Sequence, residues 1–369
     1  MKFKLSSHTS VGLGATLSAA AIAAAAFAPA AANAHTTAHA AAKKAPGFVA
    51  VAPAKSWGGL TLNVGDQAGT GAEAVLGAAG YFKLNSGSAV DGVLPDGLKV
   101  DFNDFAAGPP IVQAVNSGGD QVGGVGDAPP VFGAAAGYKV AIVNSLEVKG
   151  GKNAALLVAP GSGITSITQL IGKKIAVGVG TSADYHFLSI LNKAGLKPTQ
   201  FTIVSDTGGT CVSLLNTGAV SACDTWSPYV EDAVGVDNDT ALYDGPAYGS
   251  PWSYDIASET ALKKPKYVAA IKAYLTYLNK AYVWVPNHKS AWTAGWQLIV
   301  PFPTAIMTQA TDDDLDTPVA IGDSTVANEQ GILNSFYDAG LLPDTLNYAP
   351  YITESFNDTL VGYKAKKSK

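Results

Sequence analysis

Short apolar runs alternate along the chain with amphipathic stretches of about ten residues between positions 60 and 245. Apolar runs of about four to eight residues predict strands, and an apolar stripe with a period of about 3.6 residues predicts a helix. The predicted strands are 60–64, 98–102, 121–125, 139–143, 154–158, 175–179, 201–204 and 219–224. Helices are predicted at 71–81, 109–116, 128–136, 167–170, 183–194 and 211–216. Strands that alternate with helices in this way predict βαβ units and parallel sheets.

The pattern changes after Pro251, where three stretches with helical periodicity follow one another, at 261–285, 290–297 and 324–339. We expect this tail to pack back on the first βα set, so that the chain crosses between two lobes near residues 150 and 248. The predicted fold is therefore α/β with two lobes, each a mostly parallel sheet flanked by helices, and a hinged cleft between them. The predicted first lobe comprises residues 56–149 and 249–369, and the predicted second lobe comprises 150–248.

The amino terminus has the pattern of a secretory signal peptide. Lys2 and Lys4 precede an apolar, alanine-rich stretch, and Ala32-Asn-Ala34 matches a small-residue cleavage site. We expect residues 1–34 to be removed and residues 35–55 to form a flexible lead-in. The sequence therefore predicts an exported protein that is periplasmic, or secreted and associated with the cell envelope.

All 24 basic residues of the 369-residue chain are lysines, against 29 acidic residues, and the net charge is −5. Cleavage after Ala34 removes two lysines and no acidic residue, which makes the mature chain still more negative. This charge argues against a nucleic acid or an anionic membrane surface as partner. Without arginine, the twin-arginine export route is closed, so the chain crosses the membrane unfolded and no preloaded organic cofactor is expected. We expect a monomer.

The two cysteines, Cys211 and Cys223, are expected to form a disulfide because the chain is exported. Two free buried thiols are the alternative. No histidine lies near either cysteine in the sequence, so no metal site is predicted.

Two strand-to-helix junctions provide candidate binding groups, because the start of a helix offers unpaired backbone N–H groups and a partial positive charge to an anion. In the junction Gly178–Ala183, the candidates are Thr181, Ser182 and Ala183. In the junction Gly126–Phe132, Asp127 is predicted to cap the helix and to orient the Ala128 N–H group. We expect several such helix starts to face one crevice.

Four further residues are candidates for the wall of this crevice. Gln67 follows the first strand at its carboxyl end, where open α/β sheets bind ligands. Trp226, Trp252 and Tyr254 offer apolar surface for an alkyl group, with packing between the lobes as the alternative.

Five motifs occur in order along the chain with a spacing typical of one protein family. They are Phe105-Ala-Ala-Gly-Pro-Pro110, Gly126-Asp-Ala-Pro-Pro-Val-Phe132, Lys173-Lys-Ile-Ala-Val-Gly178, Thr181-Ser-Ala183 and Asp224-Thr-Trp-Ser-Pro-Tyr229. Together with Gly340-Leu-Leu-Pro343, they resemble the substrate-binding proteins of ABC importers in the nitrate, sulfonate and taurine group. The closest likeness is to the aliphatic-sulfonate binders.

This resemblance implies a type II periplasmic binding protein that delivers a small organic anion, an aliphatic sulfonate, to a membrane permease without chemistry of its own. Taurine, nitrate, a thiamine precursor and a sensing rather than transporting role remain open. One residue departs from the family pattern, because Asp184 stands where a histidine or another polar residue is common. We expect Asp184 to point to solvent in the first helical turn.

Two enzyme alternatives are weaker. Gly178-Val-Gly-Thr-Ser-Ala183 matches a dinucleotide-binding pattern, but the spacing to Asp206 is long. A pyrimidine-precursor synthase of the same fold needs a reactive histidine, and neither His186 nor His288 lies in a nucleophile motif. The acidic run 312–316 is predicted to be a solvated turn.

Overall fold

The computed structural model describes residues 57–67, 71–84, 92–149 and 152–364, so the predicted signal peptide and lead-in lie outside the described residues. The strands are β1 Thr61–Gln67, β2 Gly92–Val93, β3 Lys99–Phe105, β4 Val122–Gly126, β5 Val140–Lys149, β6 Ala154–Val158, β7 Lys174–Val177, β8 Thr202–Val204, β9 Ala222–Trp226, β10 Thr240–Asp244, β11 Trp252–Ser258 and β12 Leu315–Val319. The α-helices are α1 Ala72–Ala78, α2 Gly108–Ser117, α3 Ala128–Ala135, α4 Ser182–Ala194, α5 Gly208–Asn216, α6 Tyr229–Gly235, α7 Glu259–Leu262, α8 Pro265–Trp284, α9 Lys289–Trp296, α10 Thr304–Asp313 and α11 Asp323–Asp338.

The strands form two sheets. The seven-stranded sheet has the order β12-β5-β11-β4-β1-β3-β2, and the five-stranded sheet has the order β10-β6-β9-β7-β8. Each sheet has a parallel part of three strands, β4-β1-β3 in one and β9-β7-β8 in the other. All other pairs are antiparallel. The prediction of mostly parallel sheets therefore holds only for these three-strand parts. In the larger sheet, β11 returns from the smaller sheet and runs antiparallel to both of its neighbours, β4 and β5.

The chain passes between the two sheets twice. It leaves β5 of the larger sheet for β6 of the smaller one, and it returns from β10 to β11. The helical tail then packs on the larger sheet, where Ile271, Tyr274 and Leu278 of α8 join a buried cluster with Leu62 and Val64 of β1. These apolar residues of α8 recur every three or four positions, so one face of the helix enters the core.

The starts and ends of the helices near the cleft follow local sequence rules. Pro109 lies in the first turn of α2, where its missing N–H group is harmless. Both α2 and α4 end at a glycine in the left-handed region, Gly118 at φ 82° and Gly195 at φ 67°. A side chain at either position would be strained, so these glycines fix where each helix stops.

The smaller sheet is cross-linked to one of its helices. Cys211 of α5 and Cys223 of β9 form the predicted disulfide, and both are fully buried among Ala176, Val212 and Leu215. No helix in the described part of the chain is long and apolar enough to cross a membrane.

The acidic run 312–316 is not a solvated turn, which corrects the prediction. It ends α10 and begins β12, which pairs with β5 at the edge of the larger sheet. Pro318 fits there because an edge strand leaves one row of N–H positions unpaired. Asp314 and Asp316 are partly buried as a result and face the space between the sheets.

Candidate functional site

A cavity of about 140 Å³ lies between the two sheets, lined by residues of both. Eight of the nine predicted site residues line it, namely Gln67, Asp127, Thr181, Ser182, Ala183, Trp226, Trp252 and Tyr254. The exception is Ala128, which is fully buried beneath Asp127 and does not reach the cavity. The residues singled out in the sequence therefore come together at one cavity between the sheets.

The start of α4 is an open donor site at the cavity wall. Neither the Ser182 nor the Ala183 N–H group donates to any residue in the described part of the chain. The Thr181 hydroxyl, by contrast, donates to the Gly178 carbonyl at 2.6 Å. This hydrogen bond stabilises the turn before α4. Two free N–H groups at the positive end of a 13-residue helix suit the oxygens of an oxyanion.

Two of the other helix starts at the cavity are already occupied by carboxylates. Asp66 accepts from the N–H groups of Ala72 at 3.0 Å and Glu73 at 2.8 Å, which closes the start of α1. Asp127 caps α3 as predicted, but its carboxylate takes the Ala128 N–H group for itself at 2.8 Å. Several helix starts therefore face the cavity as expected, but carboxylates close those of α1 and α3. The start of α2 at Gly108 also lines the cavity and has no side-chain cap among the described residues, although Pro109 and Pro110 offer no N–H group there.

His186 lies one turn after Ser182 on the same face of α4 and also lines the cavity. Its side chain is 1% exposed, and Nδ1 lies 2.8 Å from the Asp224 carboxylate on β9. The ring nitrogen Nε2 is buried and has no hydrogen-bond partner among the described residues. Burial raises the pKa of Asp224, and the neighbouring His186 lowers it. This pair places an unsatisfied nitrogen at the cavity, and the sequence analysis missed it as a binding group.

Asp184 does not point to solvent, which corrects the prediction. It is 8% exposed, and its carboxylate accepts from the Gly180 N–H group at 2.8 Å. Burial raises its pKa to about 7, opposed by the Gly180 hydrogen bond and reinforced by the nearby Asp224. Asp184 thus braces the loop before α4 and does not line the cavity.

Ser182 also links the two lobes. Burial raises the pKa of Asp127 to about 6, and a hydrogen bond from the Ser182 side chain lowers it in part. Opposite Ser182, Gly126 at the end of β4 has no side chain, and a Cβ atom there would lie 2.0 Å from the Ser182 hydroxyl oxygen. A residue without a side chain is therefore needed at Gly126 for α4 to approach the larger sheet this closely.

The aromatic candidates form part of the cavity wall. Trp252 and Tyr254 are near parallel, with ring centroids 6.5 Å apart and an interplanar angle of 14°. Tyr254 is 1% exposed, and its hydroxyl is hydrogen-bonded to Asn328 at 3.3 Å. Trp226 at the end of β9 is partly buried on the opposite lobe. These rings give the cavity an apolar face large enough for a short alkyl group.

The remaining wall is rich in carboxylates. Asp66, Asp127, Asp255, Asp314 and Asp316 line the cavity, and no lysine does in the described part of the chain. Burial raises the pKa of Asp255 to about 6 and those of Asp66 and Asp316 to about 7. The sequence showed the acidic run near Asp314 but gave no sign that it folds against the cleft.

Two lobes, each built on its own sheet and joined by two crossings with a ligand-sized cavity between them, define the two-lobed class of periplasmic binding proteins. The chain belongs to the NMT1/THI5 like family, whose model matches residues 95–284.

Two relatives are similar in sequence. A protein of Escherichia coli (strain K12), described as an aliphatic-sulfonates-binding protein, is 27% identical over 66% of this chain and 76% of its own length. A taurine-binding periplasmic protein of the same organism is 34% identical over 36% of this chain and 41% of its own length.

Solved structures agree on the fold. The alkanesulfonate-binding protein of Xanthomonas axonopodis pv. citri, bound to MOPS, superposes with a TM-score of 0.69 at 22% identity, covering 79% of this chain and 98% of that chain. A desulfurization enzyme has the same fold, with a TM-score of 0.56 at 12% identity over 81% of this chain and 98% of that one. The fold therefore carries both binding and catalysis, and the curated relatives are binding proteins.

Proposed function

We propose that this chain is an exported solute-binding protein that captures an aliphatic sulfonate between its lobes and passes it to the permease of an ABC importer. The observation that carries the proposal is the open start of α4. There, the free N–H groups of Ser182 and Ala183 and the unpartnered Nε2 of His186 meet at one cavity wall. A sulfonate has three acceptor oxygens, which suit the backbone N–H donors of a helix start.

Binding rather than catalysis fits the side chains at this site. Both cysteines are in the disulfide and neither lines the cavity, and His186 Nε2 has no hydroxyl partner in the described part of the chain. The proposed mechanism is capture by closure, in which Gln67 and the rings of Trp226, Trp252 and Tyr254 enclose the alkyl part of the ligand. Closure requires that the ligand stabilise the closed form over the open one.

The organisation around this site is proposed on the same basis. We assign residues 56–149 and 249–369 to one lobe and 150–248 to the other, with 1–34 as a removable signal peptide. We also propose that the mature protein is a monomer, located in the periplasm or at the cell envelope, where it would contact the permease. The periplasmic taurine-binding relative supports this location.

The first test is calorimetric titration with ethanesulfonate, isethionate, taurine, nitrate, sulfate and a pyrimidine precursor of thiamine. Phosphate buffer avoids competing sulfonates and amines. Saturable binding of a sulfonate supports the proposal. If no sulfonate in this panel binds measurably, the proposal is contradicted.

Replacing Ser182 by proline should weaken sulfonate binding by at least about tenfold relative to Ser182→Ala, or about 1.4 kcal/mol. Proline removes the N–H group at the first helical position, which tolerates proline because the preceding Thr181 is extended, with φ −97° and ψ 172°. Alanine removes the hydroxyl alone, so the comparison isolates the backbone donor. Asp323→Pro, at the first position of α11, is the matched control and should bind like the parent. Equal affinities for the alanine and proline variants would remove the start of α4 from the site.

His186→Gln should weaken ethanesulfonate binding by at least about tenfold. The imidazole ring contacts Asp224 through Nδ1 and presents the unpartnered Nε2 at the cavity, and a glutamine amide cannot serve both positions. Calorimetric titration of both proteins with ethanesulfonate measures the effect. Equal affinities for the parent and His186→Gln would remove His186 from the site.

A further inference from the structure

Helix α4 buries apolar side chains on two different faces. Phe187, Ile190 and Leu191 pack with β6 and β7 in the core of the smaller sheet. Tyr185 and Leu188 belong instead to the apolar cluster of the larger sheet. A helix on the surface of one lobe needs a single apolar face, so the second face of α4 is buried by the other lobe.

This second face packs on two helices of the first lobe, α3 and α11. Phe132 of α3 and Phe336 of α11 are in edge-to-face contact there, with ring centroids 4.7 Å apart. The Tyr185 ring lies 6.1 Å from the Phe336 ring, measured between centroids, and Leu188 is 1% exposed. We call Phe132, Tyr185, Leu188 and Phe336 the α4 seam. An interior contact of this kind joins the lobes outside the ligand cavity.

The α4 seam lies beside the part of α4 that meets the cavity. Ser182 and His186 line the cavity one turn apart, and Tyr185 directly precedes His186 on the neighbouring face. Gly126 permits the close approach of Ser182 to the first lobe, as described above. Docking of α4 at the seam therefore fixes the position of its free N–H groups relative to the first-lobe wall of the cavity.

The energetic effect of the seam depends on how the lobes are arranged. With the lobes together, the Leu188 side chain is removed from water, and this burial favours the closed arrangement. A ligand held between the lobes favours the same arrangement. Its apparent affinity falls in proportion to the fraction of protein that is not in the binding-competent form. A contact that stabilises the closed form therefore raises affinity without touching the ligand.

We propose that Leu188, with Tyr185 beside it, is a positioning residue for ligand capture, which docks the start of α4 on the first lobe and thereby sets how tightly the anion is held. This inference rests on the proposed function, because it concerns closure over the ligand. It assigns part of the binding free energy to an apolar contact that the ligand does not reach.

The test compares Leu188→Ala with Ile190→Ala on the same helix. Both side chains are 1% exposed, but Ile190 is buried inside the second lobe, so its loss does not depend on closure. Both variants should be less stable than the parent in urea denaturation. Calorimetry should show at least about tenfold weaker ethanesulfonate binding in Leu188→Ala than in Ile190→Ala. A purely structural role for Leu188 would lower stability and leave affinity unchanged.

Small-angle X-ray scattering provides a readout that needs no ligand. Without ligand, Leu188→Ala should have a larger radius of gyration than the parent and Ile190→Ala, because the closed form is disfavoured in this variant alone. If the alanine variant does not fold, as judged by circular dichroism, Leu188→Val should show a smaller change in the same direction.

The outcomes separate this inference from the proposed function. If ethanesulfonate binds the parent, and affinities for Leu188→Ala and Ile190→Ala agree within about threefold, the positioning role is overturned and sulfonate binding stands. Helix α4 would then stay docked on the first lobe whether or not ligand is bound. If no sulfonate binds the parent, the proposed function fails, and the radii of gyration decide. Expansion of Leu188→Ala alone supports the seam, and equal radii overturn it.

Discussion

Lowering the pH from 8 to 5.5 should stabilise the unliganded protein by at least about 2 kcal/mol, measured by urea denaturation at each pH. Burial raises the pKa of Asp66, Asp184 and Asp316 to about 7 and that of Asp127 and Asp255 to about 6. These five carboxyls lie in or beside the cleft, so the site contributes to the pH dependence of stability, together with Glu231 and Glu329, whose pKa values burial also raises.

The direction follows from proton binding in the two states. A carboxyl whose pKa is higher in the folded than in the unfolded chain holds its proton more tightly when folded. Its destabilising effect is complete above the folded pKa, shrinks as the pH falls through about 7 to 6, and is absent below the unfolded value of about 4. A single group with a folded pKa of about 7 accounts for about 2 kcal/mol between pH 8 and 5.5. The minimum effect therefore requires only one of the three groups whose pKa is about 7.

Asp316→Asn provides the control for this prediction. The amide oxygen can still accept from Ser253, while the charge that is unfavourable above pH 7 is gone. The variant should be more stable than the parent at pH 8, and this advantage should shrink by about 2 kcal/mol between pH 8 and 5.5 and vanish near pH 4. Asp338→Asn, at an exposed helix end, should follow the parent. A parent whose stability falls towards pH 5.5, or an Asp316→Asn curve identical to the parent's, would contradict the assignment.

The parts of the fold that the sequence predicted are those with locally apolar patterns. β6 was predicted at its observed bounds, and α4 was predicted within one residue, because its apolar face and its glycine stop are both local signals. β11 and β12 were missed. β11 lies between two strands of the larger sheet and buries Asp255, which accepts from Asn144 at 2.9 Å. A buried acidic residue satisfied by a partner 111 positions away leaves no trace in a local pattern.

In the candidate site too, local sequence patterns predicted some features, while others depend on contacts between distant residues. Glycines and small residues at the strand-to-helix junctions located the cleft, but they did not say which N–H groups stay free. That depends on Asp66, whose carboxylate reaches seven residues along the chain to the Glu73 N–H group, and on Asp127, which caps its own helix. The pairing of His186 with Asp224 spans 38 residues and two elements. Asp314 likewise lines the cavity only because the helical tail returns to the larger sheet.

Removing the disulfide should destabilise the protein by about 3 kcal/mol, since it closes a loop of about 12 residues in the unfolded chain. The double variant Cys211→Ala/Cys223→Ala leaves two small voids in the core of the smaller sheet, where both side chains are fully buried. Those voids lower the stability of the double variant further. Reduction of the parent with a thiol breaks the cross-link without creating voids, so it measures the contribution of the disulfide alone. Urea denaturation of the parent and of the double variant, each with and without reductant, measures the two contributions. The reductant should not change the stability of the double variant.

The position of the cross-link predicts a difference between stability and binding. Cys223 lies in β9 directly before Asp224, which holds His186, and three residues before Trp226 at the cavity wall. β9 is nevertheless paired on both sides, with β6 and β7, so its place in the folded sheet does not depend on the disulfide. Sulfonate affinity should therefore change less than about threefold in the double variant under native conditions, while stability falls. A loss of affinity of tenfold or more at full folding, checked by circular dichroism, would show that the disulfide positions the site. A stability loss below about 1 kcal/mol would mean that the unfolded chain is little constrained by it.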